Sequence, residues 1–218
     1  MKKFIFILLV LLWFAASLCG AVITGMNLFP FFWTPGLLLL SAAVLLMHRC
    51  RNEWIFFCGL AATMIGDYFL VYQGYGPRST GFYGGVAGFS LAHLLYTAYF
   101  YRTGRFAKAM IPAALFPALL VLWCCIGHIP GGVLSVLVLY GTISAVSLAG
   151  AVRAASRWFT AAVGMLFVSD ICIAANWLNA PFANEATGIL YVSSLGAAAC
   201  AMAFTAFNRT KRSAADAA

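Results

Sequence analysis

Apolar runs of about twenty residues, separated by short polar breaks, repeat along the whole chain. A run of this length suits an α-helix that crosses the hydrocarbon core of a bilayer. No long linker, low-complexity tract or soluble domain interrupts the runs. The eight predicted transmembrane spans are Phe4–Ile23, Phe31–Met47, Trp54–Tyr72, Phe82–Tyr101, Lys108–Gly127, Val133–Val152, Trp158–Leu178 and Ala186–Phe207. We therefore predict an all-α, polytopic membrane helical bundle, with one eight-span domain over residues 1–208 and a basic, polar cytoplasmic tail over 209–218.

The composition supports the same class. Hydrophobic residues make up 64% of the 218 positions and charged residues only 8%, whereas soluble domains carry about 25% charged residues. This excludes an ordinary soluble domain and indicates an integral membrane protein.

The basic residues are distributed unevenly between the spans. Lys and Arg favour cytoplasmic loops. If both termini are cytoplasmic, twelve of the thirteen basic residues lie on the cytoplasmic side, and only Arg78 lies on the other. The net charge of +8 then reflects topology and attraction to anionic lipid headgroups, and nothing favours nucleic-acid binding. We expect both termini in the cytoplasm and a plasma membrane location, which in a bacterium is the inner membrane.

The first span has a second interpretation, as a signal peptide with a basic start, an apolar centre and small residues near Cys19. A lipoprotein signal would have a branched apolar residue three positions before that cysteine, where the chain has Ala16. We therefore favour a retained first helix.

The spans fall into two sets of four, related by an offset of about 104 residues. The segment "MIGDYFL" in the third span is echoed by "FVSDICI" in the seventh, which places Asp67 and Asp170 at equivalent positions. Four spans per half means that both halves enter the membrane in the same direction. The pattern predicts a parallel 4+4 repeat.

Polar residues deep in the spans are the candidates for chemistry. Of five acidic residues, only Asp67 and Asp170 lie well inside a span, where an ionised aspartate costs roughly 2.5 to 3.5 kcal/mol. His93, in the fourth span, lies at a comparable depth. Gly66 and Ser169 are small neighbours that let helices approach closely. If the two carboxyls face each other, they share one proton, giving one acid and one carboxylate.

Other interpretations of these residues remain open at this point. Each aspartate can be a hydrogen-bonding clasp between helices, and a lone histidine on an aromatic face can be a satisfied core residue. Asp67, Asp170 and His93 have side chains that suit a metal, although no metal-binding motif accompanies them. A proton-coupled carrier of lipids or amphiphiles also uses buried carboxylates and parallel halves.

Three segments carry a family resemblance: GD-x-x-L, then G-x-x-x-F-x-x-x-H-x-x-Y, then F-x-x-SD-x-x-x-A. They occur in this order at Gly66, Asp67 and Leu70, at Gly85, Phe89, His93 and Tyr96, and at Phe167, Ser169, Asp170 and Ala174. With the eight-span length, they make the chain resemble the YhhN-type lysoplasmalogenase family. One position departs from the expected pattern, because Leu195 stands four residues after Tyr191, where we expect Gln or His.

The resemblance implies an enzyme that cleaves the vinyl ether bond of lysoplasmalogens, with a fatty aldehyde and glycerophosphoethanolamine or glycerophosphocholine as products. Such hydrolysis needs neither a metal nor an organic cofactor. We expect one of Asp67 and Asp170 to donate the proton, with a slight preference for Asp67. The other aspartate would stabilise the oxocarbenium ion and activate water. His93 would orient water or a carboxylate, or handle the second proton transfer.

Further polar residues are candidates for supporting these catalytic groups or for binding substrate: Tyr68, Tyr72, Tyr96, Ser169, Asn176 and Arg78. Arg78, in the loop after the third span, can also meet a headgroup phosphate from the non-cytoplasmic side. The expected partners are a lysophospholipid substrate and membrane lipid.

Overall fold

The computed structural model describes residues 2–25, 28–73, 79–103, 106, 108–124, 126–127, 131–154, 156–176 and 183–215. Within these ranges the chain forms eight α-helices and no β-strand. The helices are α1 (Lys2–Thr24), α2 (Phe29–Met47), α3 (Glu53–Gln73), α4 (Thr80–Arg102), α5 (Ile111–Cys124), α6 (Gly131–Ala151), α7 (Arg157–Asn176) and α8 (Ala183–Ala215). A 3₁₀ turn, Lys108–Met110, leads into α5. The all-helical class predicted from the apolar runs is confirmed.

Each helix coincides with one predicted span to within a few residues, with two exceptions. The predicted fifth span begins with the 3₁₀ turn, so α5 itself has only 14 residues. The last helix continues past the predicted end at Phe207 to Ala215 and includes the start of the predicted tail.

Five of the described helices are long and apolar enough to cross a membrane: α1, α2, α3, α6 and α8. The helices α4 and α7 contain His93 and Asp170 among several glycine, serine and aromatic residues, and α5 is short. The described helices therefore establish a membrane-type bundle, whereas the number of spans remains a prediction.

The exterior of the bundle is apolar, as expected for contact with lipid. Large side chains such as Phe4, Leu39, Phe116, Trp123 and Ile189 are each about 70% exposed. Several polar residues lie in the interior of the bundle, whereas in a soluble protein polar residues lie mostly on the surface and large apolar ones mostly inside.

The helix α8 packs against α1, α2, α3 and α7. From position 195 to 206 nearly every side chain is buried, and half of them are alanine. Small residues let transmembrane helices approach closely, because lipid and side chains are equally apolar and packing decides association. Near its end, Arg209 pairs with the buried Glu53 at the start of α3, with Nη2 and Oε1 2.8 Å apart.

The helices α3 and α4 form an extensive contact around two glycines. A Cβ atom on Gly88 would lie 2.5 Å from the backbone nitrogen of Gly66, so the two backbones touch at this point. This is the close approach predicted from Gly66, and it places Asp67 directly beside the crossing.

Candidate functional site

A buried hydrogen-bond network surrounds His93, whose side chain is 0% exposed. Its Nδ1 atom lies 2.6 Å from Ser147 Oγ. Its Nε2 atom lies 3.2 Å from Asp170 Oδ2 and 3.1 Å from Ser144 Oγ. The hydroxyl of Ser144 is also 2.9 Å from Asp170 Oδ2. Helices α4, α6 and α7 thus meet at one polar cluster, formed by Asp170, His93, Ser144 and Ser147, which we call the histidine cluster.

The directions of these hydrogen bonds assign the histidine tautomer. The Ser147 hydroxyl donates its single hydrogen to the Ser144 carbonyl at 2.8 Å, so its oxygen accepts from His93 Nδ1–H. The other ring nitrogen, Nε2, therefore faces Asp170 and Ser144. When Ser144 donates to Asp170, one proton remains to be shared between His93 Nε2 and Asp170 Oδ2. The arrangement can hold a proton on either the carboxyl group or the imidazole ring.

The second aspartate has different surroundings. Asp67 is buried, and the Tyr191 hydroxyl of α8 donates to its Oδ2 atom at 2.6 Å. The Tyr191 ring contacts Phe89 edge to face, with centroids 5.9 Å apart. Among the described residues, no Lys, Arg or His forms an ion pair with Asp67. Its carboxyl group is held by a neutral donor alone.

The two carboxyl groups do not touch. Within the part of the chain that the structure describes, no hydrogen bond joins Asp67 to Asp170. One apolar cluster links their surroundings, because Tyr140 of α6 and Tyr191 of α8 both pack with Leu70 and Phe89. The hydrogen-bond partners of Asp170 among the described residues are therefore His93 and Ser144, and not the facing carboxyl group expected from the sequence.

Tyr140 is buried beside the Asp170 carboxyl, and its ring lies 5.8 Å from that of His93. Its hydroxyl forms no well-aligned hydrogen bond to a described residue, although it lies close enough to the Asp170 carboxyl to interact with it. A buried hydroxyl without a partner costs about 1–3 kcal/mol, so this group is poised to bind an oxygen atom of a ligand or water.

A cleft between α5, α6 and α7 reaches the histidine cluster. The part of it that a water-sized group can enter is small, about 30 Å³. Most of its wall is apolar, and the polar side chains that reach it are Tyr140, Ser144 and Asp170. Asp170 is 10% exposed, so a ligand in the cleft has access to its carboxyl group.

The other candidates from the sequence are placed as follows. Tyr96 is buried and its ring stacks on that of Phe56, with ring centroids 4.3 Å apart. It also packs edge to face with the His93 ring, with centroids 6.1 Å apart. Ser169 donates to the Thr187 carbonyl at 3.2 Å and so joins α7 to α8. Tyr68 is 49% exposed on the outside of the bundle.

Three candidates cannot be placed. The side chains of Tyr72 and Asn176 lie outside the described part of α3 and α7, and Arg78 lies outside the described residues. Leu195, which departs from the expected family pattern, is 1% exposed within the main hydrophobic core.

Four site residues were absent from the sequence-based candidates: Tyr140, Ser144, Ser147 and Tyr191. The first three stand at positions i, i+4 and i+7 of an otherwise apolar span, so they share one helical face. This polar stripe is a signal that could have identified α6 as part of the site. Tyr191 was noted only for the residue that follows it four positions later, and no spacing rule connects it to Asp67 across 124 positions.

Among the described residues, no group of three or more His, Cys, Asp or Glu side chains is arranged to hold a metal ion. The arrangement defines a class: a helical membrane protein with two buried carboxyl groups, one of them in a His–Ser network at the end of an apolar cleft. The sequence profile of the YhhN family matches residues 27–198, and the chain belongs to that family. No curated protein and no solved structure matches the chain. The apolar helices and the family together indicate a multi-pass membrane protein.

Proposed function

We propose that this protein is a lysoplasmalogenase, which hydrolyses the vinyl ether bond of a lysoplasmalogen to a fatty aldehyde and glycerophosphoethanolamine or glycerophosphocholine. Membership of the YhhN family is consistent with a hydrolase of this kind. The observation that carries the proposal is the position of Asp170, a buried carboxyl group at the inner end of an apolar cleft and in contact with His93 and Ser144.

The reaction requires proton transfer but no redox step. A general acid protonates the outer alkenyl carbon, and the inner carbon becomes part of an oxocarbenium ion. Water adds to that carbon and loses a proton, which gives a hemiacetal. The hemiacetal then collapses, with one proton moving to the glycerol oxygen, to give the aldehyde and the glycerophospho alcohol. Positioned acids and bases accelerate such steps by about 10²- to 10⁴-fold.

The geometry supports Asp170 as the acid, in place of the slight preference for Asp67 drawn from the sequence. Asp170 is the carboxyl group that lines the cleft, and the proton it shares with His93 is available to a ligand there. After protonation of the substrate, the Asp170 carboxylate faces the cation and stabilises it. His93 Nε2 then accepts the proton from the attacking water and delivers it to the leaving oxygen. As the hemiacetal collapses to the aldehyde, the Asp170 carboxylate takes up the hydroxyl proton, which regenerates the acid.

Asp67 takes the supporting electrostatic role in this scheme. Its carboxyl group, fixed by Tyr191, borders the same tyrosine cluster that Tyr140 joins next to Asp170. When it is ionised, this carboxyl group favours the positively charged intermediate, because few polar groups screen its charge in a dry interior. Tyr96 positions the His93 ring from the side that faces Phe56.

We also propose the topology that the charge distribution favours, with eight spans, both termini in the cytoplasm of a plasma membrane and a parallel 4+4 repeat. The extensive packing of α3 on α4 and of α7 on α8 supports a repeat in which each half contributes one helix pair carrying an aspartate. The lipid substrate reaches the site from the surrounding membrane.

The direct test is aldehyde release by the purified protein in detergent micelles, where no gradient exists. Lysoplasmenylethanolamine should give aldehyde, and the matched saturated alkyl ether lipid should give none, because it has no double bond to protonate. Asp170→Asn, checked for folding by circular dichroism and gel filtration, should lose the activity. A protein that releases no aldehyde in micelles, yet moves the lipid across sealed vesicles, would be a carrier instead.

A further inference from the structure

The inner end of the cleft is a pocket of the size of a water molecule. A water-sized group can enter about 30 Å³ of it, and one buried water needs about 10–15 Å³. The helices α5 and α6 are close together beside the pocket, since a Cβ atom on Gly141 would stand 3.7 Å from Ala118 Cβ and 3.8 Å from Leu122 Cδ1. The pocket therefore has room for about one or two water molecules and is too small for an aliphatic chain.

The polar side chains that line this pocket can hold a water by hydrogen bonds. They are Tyr140, Ser144 and Asp170. Tyr140 is 9% exposed, and its hydroxyl forms no well-aligned hydrogen bond to a described residue, so its hydrogen is available to a water. The Asp170 carboxyl accepts from Ser144 at 2.9 Å and has lone pairs for a further donor. A buried water makes about three hydrogen bonds, and these side chains offer one donor and two acceptors.

We propose that this pocket binds an ordered water molecule, that this water is the nucleophile of the reaction, and that Tyr140 is the residue that positions it. The alkenyl group of the lipid approaches from the mouth of the cleft. The use of the water as nucleophile rests on the proposed function, whereas its binding does not.

A water in this pocket lies beside the base that the reaction needs. Ser144 Oγ is 3.1 Å from His93 Nε2, so a water bound to Ser144 is next to the imidazole ring. After Asp170 has given its proton to carbon, the water oxygen bonds to the cationic carbon and one water proton passes to His93 Nε2. The Tyr140 hydroxyl donates to one lone pair of the water oxygen and leaves the other for the attack. Holding the water in place beforehand removes part of the entropic cost of bringing the reactants together.

The binding of the water is tested by hydroxyl-radical labelling, which needs no substrate. Brief X-ray irradiation forms radicals from bound water, and these oxidise the side chains next to it. Tyr140 should be oxidised well above Tyr96, a tyrosine that is 2% exposed and does not line the pocket. Ser144→Ala should reduce the labelling of Tyr140, and Ser147→Ala, the matched control outside the pocket, should keep it. Equal labelling of Tyr140 and Tyr96, or unchanged labelling in Ser144→Ala, would overturn the water site.

The use of the water as nucleophile is tested by competition with methanol, which is larger than water by one methyl group. Attack by methanol on the oxocarbenium ion, with loss of the methanol proton, gives a methyl acetal in place of the aldehyde. Wild type should form this acetal in a share about tenfold or more below that from acid hydrolysis of the same lipid in the same mixture. Tyr140→Phe should raise the acetal share, because the water loses its donor and the pocket gains space. Tyr191→Phe, the matched control, should keep the wild-type share.

The outcomes separate this inference from the proposed function. Labelling of Tyr140 in a protein that releases no aldehyde would support the water site and overturn the proposed function. Aldehyde release without labelling of Tyr140 would overturn the inference and leave the proposed function standing. Aldehyde release in which wild type forms the methyl acetal in the same share as acid hydrolysis would also overturn the inference, because the nucleophile would then come from open solvent.

Discussion

The two intramembrane aspartates occupy equivalent positions in the sequence, yet they have different chemical surroundings. Asp67 follows the start of α3 by 14 residues, and Asp170 follows the start of α7 by 13, which is about 20 Å along either axis at 1.5 Å per residue. Among the described residues, the hydrogen bond that Asp67 receives comes from the Tyr191 hydroxyl. Asp170 contacts a histidine and a serine and lines a cleft. The shared motif determines the position of each aspartate along its helix, and the neighbouring helices determine what each carboxyl group contacts.

The neighbours differ for a physical reason. Next to Asp67, the backbones of α3 and α4 touch at Gly66 and Gly88. Next to Asp170, α6 contributes two serines, and the short helix α5 covers the site incompletely. Close backbone packing thus lies beside Asp67, whereas a small cleft reaches Asp170.

Replacing Asp170 should have the largest effect. In Asp170→Asn the amide cannot donate an acidic proton to carbon, so we expect aldehyde release to fall by about 10³-fold or more with the helical content unchanged. The measurement is initial aldehyde formation in micelles. Wild-type turnover by this variant would exclude Asp170 as the acid.

Replacing Asp67 should have a smaller effect on the same assay. In Asp67→Asn the side-chain amide keeps an oxygen for the Tyr191 hydroxyl but lacks the negative charge, so we expect a loss of about 10²-fold, as for removal of one electrostatic contact to the transition state. A larger loss in Asp67→Asn than in Asp170→Asn, with both variants folded, would reverse the roles of the two aspartates.

Replacing Ser147, the serine that orients His93, should reduce aldehyde release by a smaller factor. In Ser147→Ala the Nδ1–H group loses its acceptor, so we expect about a tenfold loss of activity and a nitrogen-15 NMR spectrum in which the His93 ring no longer shows a single tautomer. Ser147→Thr should restore both. Ser41→Ala is the matched control, because Ser41 is buried on α2 without a partner among the described residues. Equal spectra and activities in Ser147→Ala and Ser41→Ala would exclude an orienting role.

Replacing the two tyrosines beside the aspartates by phenylalanine should have different effects on the stability of the protein. Tyr191→Phe removes a buried hydrogen bond to Asp67 and should lower the free energy of unfolding by about 1–2 kcal/mol. Tyr140→Phe removes a hydroxyl that forms no well-aligned hydrogen bond to a described residue, so stability should change little or rise while aldehyde release falls. The measurement is thermal unfolding in detergent beside the activity assay. A destabilised Tyr140→Phe variant with full activity would mean that its hydroxyl serves the fold and not the ligand.

The sequence predicted the helices more completely than the site. The predicted span Trp54–Tyr72 corresponds to α3 (Glu53–Gln73). It was predictable because a run of apolar residues and the polar residues at its ends can be recognised in the local sequence alone. Asp67, Asp170 and His93 were identifiable because ionisable groups are costly in lipid. Which of these residues contact each other depends on how the helices pack. The packing places His93 against Asp170, and Tyr191 against Asp67. The serines of α6 were missed because placing a hydroxyl group in a transmembrane helix costs much less free energy than placing a charged group there. Serine in such a helix therefore does not by itself indicate a functional site.

The central claim is that Asp170 protonates the alkenyl carbon of a lipid bound in the cleft. It is tested most directly by running the reaction in D₂O, trapping the aldehyde at once and measuring its mass. Carbon protonation places one solvent deuterium next to the carbonyl group, so the wild-type product should be one mass unit heavier, and Asp170→Asn should yield almost no product. Aldehyde without deuterium, or a labelled product formed at the wild-type rate by Asp170→Asn, would contradict the account.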